Sequence, residues 1–202
     1  MKNVFKAAIM SIIVAFLFIA ILYTIIYVCV GDQIIEAISL INKVAMDNSM
    51  DKTGITEIKL SDNNKLVEYP EFGAQYGTMK IESIGVDLPL YYGNTLDILK
   101  YGIGQSSAGY FPGQGGSIIC MGHNFSSMLA SLPKTEPGEE IVIETAYGTF
   151  TYVIYDKKII DETDFDALPV QEEEEILMLY TCYPIGNIGH AGQRYVVYAK
   201  LK

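Results

Sequence analysis

The chain has 202 residues, with 14 Lys and Arg against 24 Asp and Glu and a formal net charge of −10. So acidic a balance excludes the basic footprint of a nucleic-acid binder. Only three cysteines are present, at positions 29, 120 and 182, too few for a disulfide framework, and no CxxC or HExxH pattern supports a zinc site.

The first six residues carry Lys2 and Lys6, and Ala7 to Val30 then runs without a charge. That run of about 24 residues, roughly 36 Å as a helix, matches a bilayer core of about 30 Å. It is longer than the apolar region of a cleaved signal peptide, and Tyr27-Val28-Cys29-Val30 is a poor cleavage site. The positive-inside bias predicts a cytoplasmic segment over 1–6, a transmembrane signal anchor over 7–30 and an extracellular remainder. Removing the two lysines of the first thirty residues leaves 12 basic against 24 acidic residues outside the membrane.

Ile34, Ile35, Ile38, Ile41 and Val44 fall near helical spacing and predict a juxtamembrane helix. The polar stretch from Asp47 to Lys65 reads as a linker, so residues 31–65 form a juxtamembrane helix and linker and 66–202 the folded domain. Within it the pattern predicts strands over Gly77–Ile84, Val86–Tyr92, Ser117–Met121, Glu140–Thr145, Gly148–Ile160, Glu175–Cys182 and Arg194–Leu201. These segments are short, rich in β-branched residues and tyrosine, and bounded by Gly, Pro or Asn. Short helices are expected near Thr95–Lys100 and Phe125–Leu132. Seven or eight strands with so little helix predict a mainly β fold, a small closed or nearly closed barrel.

The acidic run Glu172 to Glu175 reads first as a solvated approach to a strand. A calcium site, with help from Asp161, Glu162, Asp164 and Asp166, is the other reading, although no defined ligand loop is present.

Three residues could carry chemistry. Cys182 ends an apolar strand that Tyr183-Pro184 stops, so its thiol sits at a strand end, as a nucleophile would, or is a buried core cysteine. Arg194 follows a Gly-rich turn, and an antiparallel hairpin would set it opposite Cys182. A guanidinium there favours thiolate and can donate to an oxyanion or a substrate carbonyl. His123, after Gly122 at another strand end, can act as acid and base. His190, within the turn before Arg194, is the only competing histidine. Together a thiol, an imidazole and a guanidinium are the parts of thiol-based acyl transfer.

At Gly122-His123, Leu179-Tyr180-Thr181-Cys182-Tyr183-Pro184 and Arg194-Tyr195-Val196-Val197-Tyr198 the sequence resembles the sortase family. The approach Phe111-Pro112-Gly113-Gln114-Gly115-Gly116 and the stretch from Leu129 to Ile143, expected as helix, loop and strand, are similar too. The resemblance runs from about Gln75 to Leu201 and implies an eight-stranded β-barrel. It implies a membrane-anchored cysteine transpeptidase in which Cys182 attacks the Thr carbonyl of an LPxTG-like signal and forms a thioacyl enzyme. His123 then protonates the leaving amine, Arg194 holds substrate and oxyanion, and Thr181 helps to position substrate. The implied partners are surface proteins bearing the signal, the amine of a peptidoglycan precursor in a Gram-positive cell wall, and the cell membrane. No cofactor is required. The sequence has no Trp, hence no Asp-Pro-Trp lid, and no C-terminal apolar span, and it leaves too little room between residues 160 and 175 for a long helical insert. Class D, with A or E as alternatives, is the expected type.

Two rival readings predict other things. A cell-wall L,D-transpeptidase expects a histidine two residues before its cysteine, where Tyr180 stands. A non-catalytic wall-binding barrel expects Cys182 buried and inert. Leu132-Pro133-Lys134-Thr135-Glu136 nearly spells a sorting signal, and a Pro-containing turn after a helix explains it without function.

Overall fold

The computed structural model describes Lys6, residues 9–25, 68–187 and 190–202. The chain divides into two units, Met1–Asn42 and Lys43–Lys202. In the first, residues 9–25 form a helix, α1, and its large apolar side chains are exposed, Phe16 and Phe18 at 69% and Tyr23 at 71%. Among the described residues no helix is long and apolar enough to cross a membrane. The rest of the span expected over 7–30, the juxtamembrane helix and the linker lie outside the described residues.

The second unit is a closed eight-stranded barrel. Its strands are β1 (Gln75–Ile81), β2 (Val86–Tyr92), β3 (Ile103–Gln105), β4 (Ile118–Gly122), β5 (Glu140–Thr145), β6 (Gly148–Asp161), β7 (Ile176–Tyr183) and β8 (Gln193–Leu201). They close in the order β1-β2-β3-β4-β7-β8-β6-β5, with β2–β3 and β4–β7 parallel and every other pair antiparallel.

Alternation along the strands builds two apolar layers. Leu177 and Leu179 of β7 turn inward with Ile118 and Cys120 of β4 and Val197 and Ala199 of β8, joining Tyr76, Met79 and Ile143 in the barrel interior. The intervening residues, Met178 of β7, Ile119 and Met121 of β4, Val196 and Tyr198 of β8 and Ile160 of β6, form a second cluster on the outer face. Leu99 of the short helix α2 (Leu96–Leu99) joins them.

Two expected elements differ and one strand is additional. β1 stops at Ile81, because Glu82–Ile84 winds into a 3-10 turn closed by Gly85 at φ 68°, a left-handed conformation glycine adopts freely. β3 was not expected, as three residues around Gly104 are too few to show a period. The helix expected over Phe125–Leu132 is a series of turns before a 3-10 turn at Leu132–Lys134. There Leu129 N–H donates to the His123 carbonyl and Ala130 N–H to that of Phe125, outside the i to i−4 ladder, while Leu129 is drawn into the interior.

The acidic run is not uniformly solvated either. Glu175 is 8% exposed and accepts from Gly113 N–H at 2.9 Å, Gly115 N–H at 2.8 Å and the Tyr152 hydroxyl at 2.6 Å. One carboxylate thus clamps the glycine-rich approach to β4 onto the start of β7, where Gly113 and Gly115 take φ of 86° and 90°.

Candidate active site

Register brings the three candidate residues together. Cys182 and Arg194 are direct partners across the antiparallel pair β7–β8, so their side chains leave the same face. Gly122 and Thr181 are partners across the parallel pair β4–β7. His123 and Cys182 each follow that last pair by one residue, so both stand at the same end of the β4–β7 pair. The same alternation decides which face they occupy: His123 continues Ile119 and Met121, Cys182 continues Met178 and Tyr180, and Arg194 precedes Val196 and Tyr198. The site therefore lies on the outer face at the strand ends, with the second apolar cluster as its floor.

Cys182 is a free, half-buried thiol, whereas Cys120 is free and fully buried. Burial pushes the Cys120 thiol far up, out of the range of a reactive thiolate. His123 is half-buried, with its ring 5.2 Å from that of Phe125. Its burial, and then the charge of Lys100, hold the imidazole below its ordinary pKa.

Gly122 sits where a Cβ would meet a Leu129 methyl at 2.8 Å, so His123 follows a residue that only glycine fits without displacing that side chain. Thr181 is 1% exposed, and its hydroxyl donates to the Gly122 carbonyl at 2.8 Å. The side chain that the resemblance implies for positioning substrate does not point to the outer face, because alternation turns it inward while Cys182 turns out. Instead Thr181 ties the strand of the nucleophile to the strand of the histidine. Asn124 makes a second tie, donating to the Pro184 carbonyl at 3.3 Å.

Arg194 is fixed by three acceptors. Nη1 donates to the carbonyls of Ala191 at 2.6 Å and Gln193 at 2.9 Å, and Nη2 to Glu162 at 2.9 Å. The other oxygen of Glu162 lies 2.8 Å from His190 Nε2. His190 is 77% exposed and reaches the site through this carboxylate. Asn124 and Glu162 were not legible in the sequence as parts of this arrangement, since neither sits in a motif.

Among the described residues no group of three or more His, Cys, Asp or Glu side chains is arranged to hold a metal ion. Five of the eight acidic residues weighed for calcium meet donors of the protein: Glu175 as above, Glu172 the Tyr110 hydroxyl, Glu174 Lys200, Asp161 Thr163 and Glu162 Arg194. A cavity of about 260 Å³ lies further down the outer face, lined by Asp156, Lys158, Asp166, Met178 and Tyr198, and does not include Cys182.

A thiol, an imidazole and a guanidinium on one apolar floor are suited to acyl transfer through a thioester, and comparison with known proteins agrees. The sortase domain model matches residues 79–202. Sortase D of Bacillus subtilis (strain 168) is 32% identical over 158 residues, 78% of this chain and 79% of that protein. The solved structure of a Clostridium perfringens sortase D5 transpeptidase is 29% identical, with a TM-score of 0.58 over 65% of this chain and 81% of that one. Listeria monocytogenes sortase A, 20% identical, shares the fold with a TM-score of 0.57 over 63% of this chain and 87% of that one. The chain belongs to the sortase family of cysteine transpeptidases. Within it the chain is class D-like. Membership sets aside the wall-binding barrel and the L,D-transpeptidase.

Proposed function

We propose that this enzyme cleaves an LPxTG-like sorting signal and transfers the signal-bearing surface protein to the amine of a peptidoglycan precursor. The observation that carries the reading is the paired register, Cys182 with Arg194 and Gly122 with Thr181. The Cys182 thiolate attacks the carbonyl carbon of the signal's threonine. Among the described residues three of the five N–H donors of Arg194 have acceptors, which leaves two for the oxyanion or for a substrate carbonyl. His123 gives a proton to the departing amine as the C–N bond breaks, leaving a thioester on Cys182. The acceptor amine then attacks that thioester, His123 takes its proton, and Cys182 leaves as thiolate. Thr181 contributes by holding β4 and β7 in register.

The lowered pKa of His123 makes its imidazolium scarce at neutral pH. The form whose imidazolium can protonate the leaving amine is accordingly a minority of the resting enzyme.

Attachment to the cell membrane through residues 7–30, with the N-terminus cytoplasmic and the catalytic domain extracellular, is part of the proposal. The uncharged run behind Lys2 and Lys6 and the exposed apolar side chains of α1 support it.

The test uses the full-length chain in detergent with quenched LPxTG-type peptides, with and without an amine, against Cys182→Ala. Cleavage and amine-dependent ligation that disappear in the variant are the expected result. No reaction in either protein would overturn the reading.

A further inference from the structure

Glu162 stands directly after β6, and nothing in the chemistry above uses it. Its backbone N–H donates to the Gly192 carbonyl at 2.9 Å. Its side chain, 26% exposed, places one oxygen 2.9 Å from Arg194 Nη2 and the other 2.8 Å from His190 Nε2. It continues the outward face of Ile160, the residue paired with Arg194 across β6–β8. We propose that Glu162 is the positioning residue of the Arg194 guanidinium, acting on the reaction through that group without touching substrate. This rests on the reading of Arg194 as the group that binds substrate and oxyanion.

The geometry gives three reasons. First, a guanidinium is a rigid plane with five N–H donors. The carbonyls of Ala191 and Gln193 hold Nη1 alone, and a plane held at one nitrogen can still swing. Glu162 holds the second nitrogen and fixes the plane; among the described residues that leaves Nε–H and the second Nη2 proton for the substrate.

Second, the carboxylate is itself held at three points, its backbone and both oxygens. Through Gly192 and His190 those points belong to the connection between β7 and β8, so Glu162 sets the guanidinium relative to that connection as well.

Third, its negative charge offsets that of Arg194 beside Cys182. Glu162 thus trades some stabilisation of the thiolate for a fixed donor geometry, and removing it moves the two quantities in opposite directions.

The experiment compares full-length wild type, Glu162→Ala and Glu162→Gln in two assays: kcat/KM on an LPxTG-type peptide, and the pH midpoint of Cys182 alkylation by iodoacetamide. Glu162→Ala is expected to lose about tenfold or more in kcat/KM, and Glu162→Gln, which keeps an acceptor for Nη2, to recover part of that loss. In both variants the alkylation midpoint moves to lower pH, because the Arg194 charge is no longer offset. A carboxylate that only stabilised the fold would lower the melting temperature and leave kcat/KM of the folded protein, measured well below that temperature, within about twofold of wild type. An unmoved midpoint, or kcat/KM in Glu162→Ala within about twofold of wild type, overturns the inference. Arg194→Ala separates the two levels of the argument. Full turnover in Arg194→Ala overturns the reading of Arg194 and the inference with it. Lost turnover there beside wild-type turnover in Glu162→Ala overturns the positioning role alone.

Discussion

Thr181 donates its hydroxyl to the carbonyl of Gly122 at 2.8 Å, one residue before the proposed nucleophile on one strand and one residue before the proposed acid–base on the other. A side chain facing away from the site therefore sets the spacing within it. Thr181→Val keeps the shape and removes the bond. The expected loss is about 1 kcal/mol of stability and about tenfold in kcat/KM, with Thr181→Ser near wild type in both. Thermal melts and peptide turnover check this, and wild-type turnover in the valine variant would refute it.

Cys120 and Cys182 lie on adjacent strands but on opposite faces of the barrel wall. Iodoacetamide at neutral pH is expected to modify Cys182 and spare Cys120, which is fully buried and whose thiol burial keeps protonated. Peptide mapping by mass spectrometry reads the outcome. Label on Cys120 of the folded protein at a comparable rate would contradict the assignment of faces.

Glu175 satisfies two backbone N–H groups and a tyrosine hydroxyl. Glu175→Gln keeps its size but replaces an acceptor oxygen by an NH₂ group that accepts nothing, which strands one of those donors. The expected destabilisation is on the order of 2 kcal/mol, seen as a lower denaturant midpoint. A midpoint equal to wild type would mean that the clamp contributes little.

His123 is held below the ordinary histidine pKa of 6.5 by burial first and Lys100 second. A depressed value means that the unfolded chain binds the proton more readily. The stability His123 contributes is full above about pH 6.5 and is lost as pH falls through the lower folded value. Lys100→Gln removes the smaller cause, so the His123 pKa should rise while remaining below 6.5. NMR titration of the imidazole Cε1–H reads this directly, since only two histidines are present. The limb of the pH–rate profile due to His123 should move in the same direction, and an unmoved titration would remove Lys100 from the account.

The near-signal at residues 132–136 is not expected to be processed. Leu132 and Thr135 are both fully buried, and the Thr135 hydroxyl donates to the Leu132 carbonyl at 2.8 Å, so the segment cannot extend into an active site without unfolding. Prolonged incubation of active enzyme should leave its mass unchanged; a cut after Thr135 would show otherwise.

The strands with clear alternation and the punctuation at Tyr183-Pro184 and Gly122 are legible in the sequence, and they single out Cys182, Arg194 and His123 as candidates at strand ends. What the sequence cannot carry is pairing between strands distant along the chain. The parallel register of β4 with β7 brings together residues about 60 positions apart, and no local signal encodes it. Thr181 shows a related limit: a residue beside Cys182 in sequence lies on the opposite face in a strand. Glu175 reads in the sequence as part of a solvated acidic run and Glu162 as a helper of a calcium site, because their partners, the glycine N–H groups and Arg194, come from other segments. The turns over 125–132 were read as helix because apolar spacing cannot show that Leu129 enters the barrel.

Each strand of the barrel has a partner on both sides. A peptide threading past Cys182 consequently finds no open sheet edge along which to add itself as a ninth strand, the mode by which many domains read extended ligands. On the proposed function, discrimination among signals falls to side chains and connections at the strand ends. Such parts can be exchanged between relatives to alter what is recognised while the wall that sets the distance between thiol and imidazole stays as it is.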